Sequence, residues 1–415
     1  MLERGKVMGN IAVAQSGGPT AAINASLCGV IEAALDSGID IYGIENGIKG
    51  VFENKCVLLN KFFEKSLNRE LLKTTPAAFL GSCRYKLPNT DSKCDEYEKI
   101  FDYFEKKDIT YLIYIGGNDS MDTVAKLSEY AKKFGKNLKV TGVPKTIDND
   151  LAGTDHTPGF GSAAKYVAAT VKEIARDSAV YLEKSVTVVE IMGRNAGWLT
   201  AASALARCDT TKAPHLIYLP EVPVSREKIL SDIADCDERN IIIAVSEGIK
   251  DENGKYFCES EASAHDIFGH AQLAGVAGVL SKLIKEKFGY KTRGIELNVP
   301  QRCGGHFVSL TDINEAFKIG KKAAEAALSG KSGIVMGFKR TGDYAVDIIE
   351  NNVKEIANAE KTVPPLFINE NGHDITDAYI KYARPLIMGE APIVTENGLP
   401  KHIALQNIGN GEKND

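Results

Sequence analysis

Short, continuous apolar runs alternate with longer helix-like stretches along almost the whole chain. The runs are rich in Val and Ile and have the length of buried strands, whereas the stretches between them have the length of helices. Strands are predicted at 11–15, 39–44, 111–115, 138–143, 186–191, 215–219, 241–246 and 294–299. Helices are predicted at 20–36, 120–134, 161–177, 267–286 and 312–329. Because continuously apolar strands separated by helices are typical of parallel sheets covered on both faces, the pattern predicts an α/β protein.

Three of the predicted strands run directly into turns that contain glycine. Glycine lets backbone N–H groups approach a ligand closely, and the N-terminus of a following helix attracts anions. A tight turn without a ligand is the plain alternative for any one of them, but three together favour a phosphate site. Because no GxGxxG motif follows the first strand, a dinucleotide site is disfavoured. The turns are "QSGGPTAAIN" at 15–24, "IGGNDS" at 115–120 and "MGRNAG" at 192–197.

The loop "PKTIDND" at 144–150 follows the strand predicted to end at Val143 and carries both cationic and acidic side chains. Acidic loop residues often form turns or cap helices, and the loop alone leaves that alternative open. In the functional interpretation, Lys145 neutralises charge on a transferring phosphoryl group and Asp148 accepts a hydroxyl proton. An Asp of ordinary pKa, about 4, is ionised at neutral pH and needs only to orient the alcohol.

Four arginines and one glutamate lie near the same predicted strand ends. The guanidinium fork suits the oxygens of a sugar phosphate. A single arginine is more often half of a surface ion pair, but four beside strand-end glycines favour a phosphate cleft. These residues are Arg84, Arg194, Arg293, Arg302 and Glu247.

The chain has 415 residues, enough for two domains or one large bilobal unit. Its formal net charge of −5 disfavours a nucleic-acid or anionic-membrane partner. The eight cysteines are scattered without CxxC or metal-site spacing, so reduced thiols are expected. The N-terminus has no apolar stretch of signal-peptide length, and no run approaches the roughly 20 apolar residues of a membrane helix. A soluble, cytoplasmic protein is predicted.

The order of the motifs resembles the phosphofructokinase family over nearly the whole chain. They read "SGGPTAAIN", "GSCR", "GGNDS", "PKTIDND", "TDHTPGFGSA", "VVEIMGRNAGWL", "VSEG" and a final "QR". The resemblance implies an α/β fold with two Rossmann-like, three-layer lobes of mainly parallel sheet. A phosphate-donor lobe is expected at 1–159, with about 301–365 returning to it, and a sugar-phosphate lobe at 160–300, with about 366–405. Residues 406–415 would form a flexible tail.

The same resemblance implies Mg²⁺-dependent phosphorylation of fructose 6-phosphate at its 1-hydroxyl, with Asp148 as the proton acceptor. Arg293 would reach across an oligomer interface to the sugar phosphate of a neighbouring subunit, so a homodimer or homotetramer is expected. Gly18 and Arg84 would face the phosphate donor, and Asn118 would occupy the Mg²⁺-associated position. The remaining residues of the sugar-phosphate site would be Thr146, Ile147, Met192, Gly193, Arg194, Glu247 and Arg302.

Two residues indicate pyrophosphate as the phosphoryl donor. ATP-using relatives typically read "GGDGS" and "PGTIDND", whereas this chain has Asp119 and Lys145 in place of a glycine in each motif. In a dehydrated site Asp119 would repel the α-phosphate of ATP, whereas pyrophosphate has no α-phosphate. The resemblance is therefore to the pyrophosphate-dependent or mixed-donor branch, with Lys145 and Asp119 serving the transfer. The implied reaction is reversible and belongs to glycolysis or gluconeogenesis.

Other interpretations stay open at this point. One is an ATP-dependent or mixed-donor phosphofructokinase, and another is a wider acceptor range that includes sedoheptulose 7-phosphate. A third is a non-catalytic regulatory subunit that keeps the fold and binds sugar phosphates. The intact Asp148, Lys145 and Arg194 speak against this third interpretation.

Overall fold

The computed structural model of the chain describes residues 9–91, 93–258 and 275–410. Its strands are β1 (Asn10–Gln15), β2 (Ile41–Ile44), β3 (Cys56–Leu58), β4 (Ile109–Gly116), β5 (Lys139–Pro144), β6 (Ser185–Ile191), β7 (Leu216–Tyr218), β8 (Asn240–Ser246), β9 (Lys291–Glu296), β10 (Ile334–Thr341), β11 (Ala345–Asn352), β12 (Thr395–Glu396) and β13 (Leu399–Pro400). Its α-helices are α1 (Ile23–Ser37), α2 (Ile48–Phe52), α3 (Asn60–Phe63), α4 (Ser66–Thr74), α5 (Asp95–Lys106), α6 (Asn118–Phe134), α7 (Phe160–Ser178), α8 (Trp198–Ala202), α9 (Arg226–Asp235), α10 (Val276–Phe288), α11 (Pro300–Cys303), α12 (Leu310–Leu328), α13 (Val353–Ile356), α14 (Asp377–Ala383) and α15 (Gln406–Asn410). Short 3-10 helices lie at Ser203–Ala206, Gly305–Phe307, Pro365–Phe367 and Arg384–Ile387.

The larger of the sheets has the strand order β11-β10-β5-β4-β1-β2-β3. Its five inner strands run parallel, and β3 and β11 pair antiparallel at the two edges. From β1 the chain moves outward to β2 on one side and later through β4 to β5 on the other, so the strand order reverses beside β1. Ligands of open α/β sheets bind at such a point, outside the C-terminal ends of the strands. The turns after β1, β4 and β5 lie at this place.

The second sheet has the order β7-β8-β6-β9, and all its strands are parallel. Ile191 at the end of β6 pairs with Ser246 at the end of β8. The turns that follow these two strands therefore start side by side. They carry the "MGR" and "SEG" residues of the sequence motifs.

The strand β1 shows why the predicted strands read as continuous apolar runs. Ile11 and Val13 pack with apolar residues of α1 and α12, whereas Ala12 and Ala14 pack with those of α5 and α6. Successive side chains of a strand point to opposite faces of the sheet. Because helices cover both faces here, all four inner positions of the strand, 11–14, are apolar.

The predicted α/β class with mainly parallel sheets is confirmed. The strand predicted at 294–299 is wrong in position, because β9 is Lys291–Glu296 and lies at a sheet edge where most of its residues are exposed. The helix predicted at 267–286 falls partly outside the described residues, and α10 covers Val276–Phe288. The sequence pattern missed β3, β10 and β11.

The strands β10 and β11 join the first sheet after the chain has built the second one. The predicted lobe boundaries, including the return of about 301–365 to the first lobe, stay predictions. None of the helices within the described ranges combines the length and the apolar character that crossing a bilayer requires.

Candidate active site

The turns after β1, β4 and β5 are held together by backbone hydrogen bonds. Ser16 N donates to Ile115 O at 2.9 Å, and Lys145 N donates to Gly116 O at 2.9 Å. Gly17 has φ +79°, and a Cβ added to it would lie 3.2 Å from the Lys145 ammonium. That ammonium donates a hydrogen bond to Gly18 O. The first glycine turn and the lysine of "PKTIDND" therefore form one structure.

Lys145 is buried, with 2% of its surface exposed. Burial lowers its pKa to about 8, against the raising effect of the nearby Asp148 and Asp150 carboxylates. The Arg302 guanidinium lowers the pKa further. Since the ammonium is still the main form at pH 7, it supplies a positive charge that is shielded from water at the strand ends.

Asp148 is half-buried in the loop after β5. Thr146 Oγ1 lies 3.3 Å from Asp148 Oδ2, and Asp148 N donates to Thr146 Oγ1 at 3.1 Å. Burial, with the neighbouring Glu247 carboxylate, raises the pKa of Asp148 to about 6, while Thr146, Lys145 and Arg194 oppose the rise. The expectation of an ordinary pKa is therefore corrected. At neutral pH this carboxylate is ionised and is a stronger base than an exposed Asp.

The turns after β6 and β8 contact each other next to Asp148. Gly193 N donates to Glu247 Oε1 at 3.2 Å, and Ser246 Oγ donates to Gly193 O at 2.5 Å. Gly193 has φ +137°, and a Cβ there would lie only 2.5 Å from Ala196 O, so the turn requires glycine. Glu247 and Arg194, both in these turns, lie close enough to Asp148 for their charges to shift its pKa, Glu247 upward and Arg194 downward.

Two arginines present unpaired donors at this junction. The Nε atoms of Arg194 and Arg302 are buried and have no hydrogen-bond partner among the described residues. Arg302 follows Gln301, whose Oε1 accepts from Met192 N at 3.1 Å, so α11 is tied to the turn after β6. A Cβ added to Gly18 would lie 3.8 Å from Arg302 Nη1. Buried guanidinium donors without partners suit an anionic ligand between the two sheets.

Asn118 and Asp150 form a possible metal site. Asn118 Nδ2 donates to Asp150 Oδ2 at 3.4 Å, and Asn118 Oδ1 is buried without a partner among the described residues. Burial and the Asp148 charge raise the pKa of Asp150 to about 7. An orphaned amide oxygen beside a carboxylate matches the oxygen ligands that Mg²⁺ takes, with phosphate oxygens and water completing the shell. Within the described ranges no three His, Cys, Asp or Glu side chains could hold a metal by themselves.

The structure also places the predicted site residues Ile147, Asp119, Arg84 and Arg293. Ile147 is buried in the core beneath the loop, so only its backbone faces the site. Asp119 is exposed in the first turn of α6. Arg84 is exposed and follows Cys83, whose carbonyl accepts from Gly17 N at 3.4 Å. Arg293 is separate from the cluster: it is exposed on the edge strand β9 and donates to Asp177 Oδ2 at 3.0 Å.

Sequence reasoning placed Asp150 in the acidic loop but gave it no role. Its contact with Asn118 crosses 32 residues and joins the turns after β4 and β5. Both turns follow predicted strands of a parallel sheet, whose C-terminal ends share one sheet edge, and this shared edge was the signal that could have paired them. Of the remaining residues of the sugar-phosphate prediction, Thr146, Arg194 and Glu247 lie near Asp148. Gly193 contacts Glu247, and Met192 contacts Gln301, which precedes Arg302.

Comparison with known proteins assigns the chain to a family. The profile described as Phosphofructokinase matches residues 10–327. The chain belongs to the phosphofructokinase family. Among its relatives, a "Pyrophosphate--fructose 6-phosphate 1-phosphotransferase" of Xanthomonas campestris pv. campestris (strain B100) is 40% identical over 98% of each chain. One of the same name from Halomonas elongata is 40% identical over 94% of this chain and 95% of that protein.

A solved phosphofructokinase has a closely similar structure. The "Pyrophosphate-dependent phosphofructokinase" of Nitrosospira multiformis superimposes with a TM-score of 0.87 at 36% identity and covers 97% of each chain. The family resemblance seen in the motifs and the phosphofructokinase fold are therefore confirmed.

Proposed function

We propose that this chain transfers a phosphoryl group from pyrophosphate to the 1-hydroxyl of fructose 6-phosphate, giving fructose 1,6-bisphosphate and phosphate. The observation that carries the proposal is the buried Lys145 ammonium, which contacts the first glycine turn on one side and lies near Asp148 on the other. A cation in this place lies where donor and acceptor meet. The relatives named for this reaction support the same assignment.

Different residues carry out the separate parts of the phosphoryl transfer. The sugar O1 attacks one phosphorus of pyrophosphate, the bridging P–O bond breaks, and phosphate leaves while the hydroxyl proton passes to Asp148. Lys145 neutralises the charge that spreads over the transferring group. Arg194 and Arg302 offer their free donors to the sugar phosphate, and Glu247 holds the turn that carries Arg194 by accepting from Gly193 N.

Mg²⁺ is the proposed cofactor. Asn118 Oδ1 and the Asp150 carboxylate are the protein oxygens that would hold it, since the first has no other partner and the second lies beside it. When bound, the ion supplies positive charge to the pyrophosphate oxygens. Because only these two side chains would contact the ion, its affinity depends on the bound pyrophosphate.

Donor choice follows from Asp119 and Lys145. Asp119 lies in the first turn of α6, where the helix dipole and the turn after β4 attract phosphate. Its negative charge disfavours the additional phosphate of ATP at that place. The ammonium of Lys145, between the glycine turns, is placed for the shorter pyrophosphate.

The reverse reaction gives a direct test of the function. We expect the purified protein, incubated with fructose 1,6-bisphosphate, phosphate and Mg²⁺, to form pyrophosphate and fructose 6-phosphate, because the two sides of the reaction are of similar energy. Phosphorus-31 NMR detects both products. No pyrophosphate should form after Mg²⁺ is chelated, and its formation should slow about 10²- to 10⁴-fold when Asp148 is replaced by Asn. Absence of pyrophosphate with the unaltered protein and Mg²⁺ present would contradict the proposal.

The lobes, the oligomer and the location belong to the same proposal. Membership of β10 and β11 in the first sheet supports a donor lobe of 1–159 with about 301–365, facing a sugar-phosphate lobe of 160–300 with about 366–405. The chain is proposed to act in the cytoplasm as a homodimer or homotetramer. Arg293 is exposed at the edge of the second sheet, as a residue that reaches a neighbouring subunit would be.

A mixing experiment tests the shared site. Replacing Arg293 by Ala is expected to raise KM for fructose 6-phosphate about 10- to 100-fold, the cost of losing a hydrogen bond to a charged group. Co-expression of Arg293→Ala with Asp148→Asn subunits should restore activity, since hybrid sites would combine the intact Asp148 of one subunit with the intact Arg293 of the other. A monomeric mass by light scattering, or no gain on co-expression, would refute the shared site.

A further inference from the structure

Asn149 lies between the proton acceptor Asp148 and the candidate metal ligand Asp150, and its backbone is in an unusual conformation. It has φ +54°, in the left-handed region that side-chain-bearing residues rarely adopt. Its side chain is fully buried. A residue in this conformation persists when its surroundings hold it there. The contacts of Asn149 therefore determine the positions of the Asp148 and Asp150 carboxylates.

The Asn149 side chain is held from both ends of its amide. Oδ1 accepts from Thr157 N at 3.1 Å and from Lys361 Nζ at 3.4 Å. Nδ2 donates to the Tyr382 hydroxyl at 2.9 Å. The contacts to Lys361 and Tyr382 span 212 and 233 residues of sequence. Both partners come from beyond residue 327, where the match to the family profile ends.

Lys361 holds more of this region than Asn149 alone. Its Nζ donates to Thr154 O at 3.0 Å and to Asp155 O at 2.8 Å, and it lies 5.0 Å above the Trp198 ring. Its backbone N donates to Asp150 O at 2.6 Å. The lysine thus binds the loop on both sides of Asn149 and adds a positive charge behind Asp150.

Tyr382 is itself fixed by an ion-paired group. Its hydroxyl donates to Asp155 O at 2.8 Å. Arg340 on β10 donates through Nη1 to Tyr382 O at 2.9 Å and lies 4.7 Å above the Tyr382 ring. Arg340 also pairs with the Asp155 carboxylate at 2.9 Å. The tyrosine is therefore rigidly placed when it receives the Asn149 amide.

We propose that Lys361 and Tyr382 are positioning residues for phosphoryl transfer: by holding Asn149, they fix Asp148 and Asp150 toward the reacting groups. This inference rests on the proposed function. It assigns to the chain beyond residue 327 a part in completing the catalytic loop. Neither residue touches the reacting atoms, so their effect passes through the geometry of the loop.

The first test replaces Lys361 by Met, which keeps the side-chain length over Trp198 and removes the ammonium. We expect kcat to fall about 10- to 100-fold, because a displacement of about 1 Å in a reacting group costs up to 100-fold. KM for fructose 6-phosphate should stay within about twofold, since no sugar contact changes. Combining this change with Asn149→Ala should lower kcat by less than the product of the two separate losses, because the two changes share the contact between Lys361 and Asn149.

Lys165 provides a matched control. It is a buried lysine outside the catalytic loop, and its Nζ donates to two backbone carbonyls, Val308 O and Gly389 O, and lies 4.7 Å above the Phe307 ring. It differs from Lys361 in a further contact, to Glu390 Oε1 at 2.9 Å. Lys165→Met should lower the melting temperature in the same way as Lys361→Met while leaving kcat within about twofold of the unaltered protein. A purely structural role for Lys361 would make the two variants alike.

A second variant covers the case in which Lys361→Met fails to fold. Tyr382→Phe removes one hydroxyl and should lower kcat about 10-fold by releasing the Asn149 amide. Its control is Tyr97→Phe. Tyr97 lies on α5, and its hydroxyl donates to Pro88 O at 2.7 Å. That control should leave kcat unchanged.

Hydrogen exchange separates this inference from the proposed function. Backbone amides of 146–157 should exchange faster in Lys361→Met or Tyr382→Phe than in the unaltered protein, and at the unaltered rate in the two controls. If the unaltered protein forms no fructose 1,6-bisphosphate from pyrophosphate, the function is wrong, and exchange still tests the positioning. Unchanged exchange in 146–157, or a kcat equal to that of the matched control, would overturn the inference.

Discussion

Replacing Asp148 by Asn is expected to lower kcat about 10²- to 10⁴-fold, the range for loss of a general base. The amide keeps the shape of the side chain and its contact with Thr146 but cannot accept the proton of the sugar hydroxyl. Because the arginines that would bind the sugar phosphate are unaltered, KM for fructose 6-phosphate should change little. Steady-state rates with pyrophosphate measure both constants.

Asp232→Asn is the control for this change. Asp232 is a buried carboxylate on α9 that accepts from the hydroxyl of Tyr218, the last residue of β7, at 2.9 Å, and neither residue belongs to the candidate site. Its replacement should affect stability and leave kcat close to that of the unaltered protein. A kcat for Asp148→Asn within tenfold of the unaltered value would contradict the role of Asp148 as base.

The pH dependence of kcat/KM tests the roles of Asp148 and Lys145 together. The base must be ionised, and its pKa is raised to about 6, so kcat/KM should fall as the pH drops below about 6. The Lys145 ammonium must be charged, and its pKa is lowered to about 8, so kcat/KM should also fall above about pH 8. The acidic decline due to Asp148 should be absent from the residual activity of Asp148→Asn.

Lys145→Met is the second change with a large expected effect. It removes the buried ammonium from between the glycine turns while keeping an apolar chain of similar length. We expect kcat to fall about 10²- to 10³-fold, as when one preorganised charge-stabilising group is lost. The decline of kcat/KM above pH 8 should disappear with it. Rapid-quench measurement of a single turnover would show the loss in the chemical step.

Lys165→Met again serves as the control, since it removes a buried ammonium outside the site. If both lysine variants lose activity equally, the effect of Lys145 comes from stability alone. A Lys145→Met enzyme with unaltered single-turnover rate would remove the lysine from the mechanism.

The sequence predicted the strands that carry the site because these strands are buried on both faces. β1, β4, β5, β6 and β8 each read as a continuous apolar run, and each ends where a motif begins. The pattern failed at the edge strands β3, β9 and β11 and also at the inner strand β10. The edge strand β11 alternates half-buried with exposed residues, and β9 is largely exposed and polar, so neither gives such a run.

The candidate site was predictable to the extent that its residues sit in strand-end motifs. Lys145, Asp148 and Arg194 were predicted in this way, and the structure places them near one another. The raised pKa of Asp148 was missed because it depends on burial and on Glu247, about a hundred residues away in sequence. Lys361 gave no signal either, since its contact with Asn149 depends on how the chain folds back across 212 residues.

A comparison of phosphoryl donors tests the central claim most directly. Initial rates of fructose 1,6-bisphosphate formation are measured with pyrophosphate and with ATP, at equal Mg²⁺ and with fructose 6-phosphate in excess. We expect kcat/KM for pyrophosphate to exceed that for ATP at least about 100-fold, since juxtaposed like charges cost several kcal/mol. Asp119→Gly should narrow the ratio by raising the rate with ATP. Equal or higher kcat/KM with ATP in the unaltered protein would contradict the account.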